Sequence, residues 1–89
     1  MLDSKEKETK FDVLYDDKYD GYFKITTNAV NIRVKPGMNK KDEILYVLMK
    51  GETVHCYGKY VELNGEIYLP VERDEKHGYL PLKFAEKIA

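Results

Sequence analysis

Apolar and polar residues alternate with a period of two along most of the chain beyond residue 21. Because successive side chains of a β-strand point to opposite faces, this alternation predicts strands with one buried face. The stretch 29–34 is a clear example: Val34 is expected on its apolar face, and Asn31 and Arg33 on its polar face. The pattern therefore predicts an all-β protein.

Turn signals divide this pattern into short strands. Pro36-Gly37 and Lys50-Gly51 are typical of tight turns, and Asn64-Gly65 is a strong hairpin signal because a type I′ turn needs positive φ at both central positions. The predicted strands are residues 22–27, 29–34, 43–49, 53–63, 66–71, 79–82 and 84–88. We expect a small barrel of about five to seven short strands with one short 3₁₀ turn near residue 82, since closure removes exposed edges.

Periodicity alone does not distinguish a strand from a buried helix over the apolar run 43–49, because the two have a similar composition. Its short length and the Lys50-Gly51 turn that follows favour a strand covered on both faces. A long helix in this position would contradict the barrel.

The first twenty residues differ from the rest, and we divide the chain into a charged, acidic aromatic arm (1–20) and a barrel domain (21–89). The arm carries seven acidic residues against four lysines. The aromatic residues of the arm, Phe11, Tyr15 and Tyr19, are candidates for binding a partner, together with Tyr22 at the start of the barrel. A covering segment that packs on the barrel is the alternative.

No motif for catalysis is evident. Cys56 follows His55, but neighbouring strand residues point to opposite faces, so the two cannot form a thiolate–imidazole pair. His55 and His77 lack other ligands at metal spacing, and no glycine-rich phosphate loop appears. We expect no enzymatic activity, no metal site and no cofactor.

Tyrosine is over-represented, with eight Tyr and no Trp in 89 residues. Not all of these hydroxyls can find buried partners, so some rings are expected at the surface, where tyrosine is enriched in binding sites. Alternatively, these tyrosines cap the ends of the barrel, with their hydroxyls in solvent and no ligand. The candidate ligand-binding tyrosines are Tyr46, Tyr57, Tyr68 and Tyr79.

Four segments in order resemble the bacterial SH3 (SH3b) family, over about 60 residues. VNIRVKPG at 30–37 is similar to the family's opening strand, and MKGETV at 49–54 to its turn and next strand. IYLPV at 67–71 and HGYLPLKF at 77–84 resemble its later strands. The resemblance implies an SH3-like barrel that binds bacterial cell-wall peptides, with Asn31 and Arg33 as polar ligand contacts; structural bonds to a turn or a nearby acid are their alternative.

The composition and the resemblance together leave three functions open. The first is a cell-wall-binding module, and the second is a free-standing intracellular protein, phage- or mobile-element-encoded, that binds or inhibits a protein partner or self-associates. Nucleic acid is the weakest choice, because the net charge is −1 and basic residues form no run. Without an apolar leader we expect a cytoplasmic protein outside any membrane, or a wall protein if delivered as part of a lysin-like system.

Overall fold

The computed structural model describes residues 11–89, which fold as seven β-strands and one short 3₁₀ turn. The strands are β1 Leu14–Ile25, β2 Ala29–Arg33, β3 Ile44–Met49, β4 Thr53–Leu63, β5 Glu66–Arg73, β6 Lys76–Pro81 and β7 Ala85–Lys87, with the 3₁₀ turn Leu82–Phe84 before β7. The all-β prediction is confirmed, and the apolar run 43–49 is a strand.

All the strands are joined in one antiparallel sheet in the order β3-β2-β6-β5-β4-β1-β7. The ladder between β2 and β6 consists of a single residue pair, Arg33 with Tyr79. Within residues 11–89 no ladder joins the edge strands β3 and β7, so the sheet is unclosed. The closure expected of a barrel stays a prediction.

The strand β1 is longer than predicted and runs across the expected boundary at residue 20. Its pairing with β4 shifts between Tyr15 and Asp20, so four residues of β1 bulge opposite the single Gly58 of β4. Gly58 has a φ of +88°, and a Cβ there would lie 2.5 Å from the Tyr15 ring. This position of β4 therefore needs glycine. Residues 1–10 of the predicted arm lie outside the described part.

A core of buried apolar residues packs against the sheet. Its fully buried members are Ile25, Ile32, Leu48, Cys56, Val61, Leu69 and Leu80. Val34 was expected to face this core with Val30 and Ile32, and this expectation is wrong. Val34 follows the end of β2, beyond an irregularity in the β2–β3 register, and its side chain is 39% exposed.

No helix among the described residues is long and apolar enough to cross a membrane.

Candidate functional site

An open groove of about 920 Å³ lies between β3, β4 and the β5–β6 hairpin. Each of these elements contributes lining residues: Tyr46 and Leu48 from β3, Thr53 to His55, Tyr57 and Lys59 from β4, Pro70 to Arg73 from β5, and His77 to Tyr79 from β6. The groove therefore lies beside β3, which is an edge strand of the sheet.

Three of the four tyrosines expected to bind ligand line this groove, namely Tyr46, Tyr57 and Tyr79. Tyr57 is 64% exposed, whereas Tyr46 and Tyr79 are half-buried, and burial raises the pKa of both phenols. The hydroxyl of Tyr46 is buried and has no hydrogen-bond partner among the described residues. Tyr68 is 3% exposed and belongs to the core, so it is not placed to contact a ligand in the groove.

Arg73 connects the end of β5 to the turn that follows β3. Its Nη2 donates to Oε1 of Glu52 at 2.9 Å, and its guanidinium lies over the Tyr46 ring, 4.9 Å from the centroid. The other carboxylate oxygen of Glu52 accepts from the backbone N–H of Met49 at 2.8 Å. Side chains, rather than a backbone ladder, therefore hold the two sides of the groove together.

The charged groups of the groove lining are Lys59, Glu72 and Arg73, and two histidines, His55 and His77, lie among them. Glu72 faces His77, with 3.9 Å between Oε2 and Nε2. Lys59 forms no ion pair within the described range. The lining thus has two permanent cations against one carboxylate.

The segment just before β1 lies beside the groove. Val13 is among the lining residues, and the Phe11 ring meets the Tyr79 ring edge-on, with 5.8 Å between centroids. Phe11 is half-buried, while Asp12 is exposed and Val13 is 51% exposed. This part of the predicted arm therefore covers one side of the groove loosely.

The other arm tyrosines lie on the β1–β4 part of the sheet. Tyr22 stacks on His55 at 4.6 Å, and His55 contacts Tyr57 at 4.2 Å. These rings form a ridge that borders the groove, in which Tyr22 and Tyr57 are exposed and His55 is half-buried. Tyr15 is 62% exposed outside the lining, and Tyr19 packs on Tyr60 at 4.8 Å.

Asn31 and Arg33 are not among the groove residues. Asn31 is exposed on β2. Arg33 is half-buried, and its Nη1 donates to the backbone carbonyl of Asp42 at 2.8 Å, which fastens the loop between β2 and β3. The structure thus gives Arg33 a structural contact, although with a carbonyl rather than with an acidic side chain.

Sequence reasoning did not identify Arg73, Glu52 or Lys59 as site residues. Arg73 and Glu52 are 21 residues apart and meet only because β5 and the β3–β4 turn face each other across the groove. Lys59 is one of many exposed lysines, and only the path of β4 distinguishes it. No local pattern carries this information.

The groove lining provides aromatic contact area and hydrogen-bonding groups. Cys56 is fully buried, and burial raises the pKa of its thiol to about 12, so the thiolate is scarce at neutral pH. His55 is on the opposite face of β4, as expected from the alternation. Across residues 11–89 no three His, Cys, Asp or Glu side chains are grouped to hold a metal ion.

No protein-family model matches the chain, and comparisons with the curated proteins and with the solved structures give no match.

Proposed function

We propose that this protein is a non-catalytic binding module that takes an extended segment of a protein partner into the groove. The observation that carries this proposal is a groove of about 920 Å³ lined by Tyr46, Tyr57 and Tyr79. Its size is within the range of ligand sites, and large aromatic side chains supply contact area at low conformational cost.

The edge strand β3 favours an extended ligand. Tyr46 and Leu48 of β3 line the groove, and one side of this strand has no neighbour among the described residues. The backbone N–H of Met49 points to the unpaired side of β3, where it donates to the Glu52 side chain. Because backbone N–H groups alternate in direction along an edge strand, the N–H of Val47 points to the same side. A peptide that adds to this edge gains backbone hydrogen bonds and places alternate side chains in the groove.

Display selection from random short peptides on the full chain tests the proposal, followed by affinity measurements on the recovered peptides. Tyr57→Ala should weaken binding about fivefold or more, since a ring at the groove is lost. Tyr15→Ala is the matched control, because Tyr15 is as exposed as Tyr57 but outside the lining. Failure to recover any peptide, or equal losses in the two variants, would refute the proposal.

We also propose that the sheet is an SH3-like barrel and that bacterial cell-wall peptide is a candidate ligand. The four segments that resemble the SH3b family support this, as does the change of partner along β4, which pairs with β1 over residues 53–60 and with β5 over residues 61–63, with a positive φ at Gly58. Co-sedimentation with purified bacterial walls tests the ligand. Complete recovery of the protein in the supernatant would refute cell-wall binding but would not affect the proposal of a peptide-binding groove.

A further inference from the structure

We infer that the partner segment is acidic, with a carboxylate side chain between apolar ones, and that it displaces the protein's own Phe11–Val13 segment from the groove. The inference rests on the proposed function, because it names the class of peptide that the same groove takes.

The first argument is the charge of the lining. Lys59 and Arg73 share the lining with one carboxylate, Glu72, which lies 3.9 Å from His77, while the Glu52 carboxylate that binds Arg73 is outside the lining. Arg73 uses Nη2 for Glu52, and its side chain is still 41% exposed, so other N–H groups of the guanidinium are accessible to a ligand. Lys59 is exposed and without an ion pair among residues 11–89.

The second argument is the balance of donors and acceptors. The buried hydroxyl of Tyr46 has no hydrogen-bond partner among the described residues, and the Arg73 guanidinium lies over the ring of the same tyrosine. Ammonium and guanidinium groups only donate, so the lining side chains offer more donors than acceptors. A carboxylate is the peptide side chain that only accepts and that carries the complementary charge.

The third argument is the segment that already lies beside the groove. Phe11 contacts Tyr79, Val13 is part of the lining, and Asp12 lies between them, exposed. The protein's own segment is thus apolar–acidic–apolar. Because Val13 is half exposed, the segment is held weakly enough for a partner of the same pattern to replace it.

Nucleic acid is the other anionic class, and the lining fits it less well. A phosphate backbone needs a row of cations along its path, whereas this groove offers two, with a carboxylate beside them. A peptide with one or two carboxylates matches the number of cations.

The experiment repeats the peptide selection on the full chain and on its Lys59→Glu variant. Peptides selected on the original chain should be enriched in Asp or Glu flanked by apolar residues, and the variant should lose this enrichment. In affinity measurements with one recovered acidic peptide, Lys59→Gln should weaken binding about three- to fivefold, and added salt should weaken it further. Lys50→Gln, an exposed lysine outside the lining, is the control and should change nothing.

Phe11→Ala gives a second readout, since it removes the contact that seats the protein's own segment. The acidic peptide should then bind about twofold or more tightly, because less of the groove is covered in the free protein. Unchanged or weaker binding would show that Phe11–Val13 does not compete for the groove and would overturn that part of the inference.

The outcomes separate the two proposals. Recovered peptides without acidic enrichment, or equal affinity of the Lys59→Gln variant, would overturn the inference and leave a peptide-binding groove. Selection of no peptide at all would overturn both. A single-stranded oligothymidylate that binds the full chain more tightly than every selected peptide would replace the acidic segment with nucleic acid.

Discussion

Gly78 allows β6 to approach β2, and we predict that Gly78→Ala destabilises the protein by about 2 kcal/mol. A Cβ at this position would lie 2.5 Å from Cγ2 of Ile32 and 2.9 Å from the carbonyl oxygen of Arg33. The Ile32 methyl is in the core, and the Arg33 oxygen is backbone, so neither moves without shifting β2. Overpacking of this kind costs about 1–3 kcal/mol, partly offset by the smaller entropy of the unfolded alanine chain.

Urea unfolding followed by far-UV circular dichroism measures this loss, and a thermal scan should show Tm lower by about 8–16 °C. His77→Ala is the control on the same strand, because His77 is exposed and its loss should cost less than about 0.5 kcal/mol. Since Gly78 and Tyr79 both line the groove, Gly78→Ala should also weaken peptide binding. A Gly78→Ala protein as stable as the original would refute the close approach of β6 to β2.

Three further predictions concern groups at or near the groove. Arg73→Met should lower the free energy of unfolding by about 1 kcal/mol in urea titrations, since it removes a half-exposed ion pair with Glu52 and the stacking on Tyr46; no loss would show that the link contributes nothing. Tyr46→Phe should raise stability by about 1 kcal/mol, because it removes a buried hydroxyl without a partner; a clear loss would reveal a partner for that hydroxyl. The pKa of Cys56 rises from 9.0 in the unfolded chain to about 12 in the fold, so its contribution to stability should be complete below pH 9 and lost as the pH rises toward 12. Urea titrations between pH 8 and 11 test this, and a thiol reagent that modifies Cys56 rapidly at pH 8 without denaturant would contradict it.

The strands between clear turn signals are the part of the fold that the sequence predicts. The bounds of β4 agree with the prediction because glycine turns lie near both of its ends. At its C-terminal end, Asn64 and Gly65 both have positive φ, as a type I′ hairpin requires. The alternation inside β4 also placed Cys56 in the core and His55 on the other face.

The alternation did not place the start of β1 at Leu14, for a physical reason. Asp16, Asp17 and Asp20 interrupt the apolar alternation, and a period-two reading therefore begins only at Tyr22. Residues 16–19 lie in the bulge of β1, where the backbone N–H of Lys18 donates to the Asp16 carboxylate. Local alternation cannot reveal such a bulge, because the partner that accommodates it, Gly58, is far away in sequence.

The groove was predicted only by residue type. An excess of tyrosine indicated aromatic contact surface, and three of the four candidate rings on the later strands do line the groove. The polar residues that define its charge depend on which strands face each other across an unclosed sheet. That pairing is a property of the topology and is absent from any single segment.

The pairing of β1 with β7 has a consequence for how the chain folds during synthesis. Residues Phe23–Ile25 lie between β4 and the final strand, and the N–H of Tyr22 donates to the carbonyl oxygen of Ala89. The backbone of β1 is therefore fully paired only after β7, which lies some sixty residues later in the chain, has been synthesised. Until residues 85–89 are available for pairing, β1 exposes one unpaired side, and assembly of the sheet should be completed only after residue 89 has emerged from the ribosome.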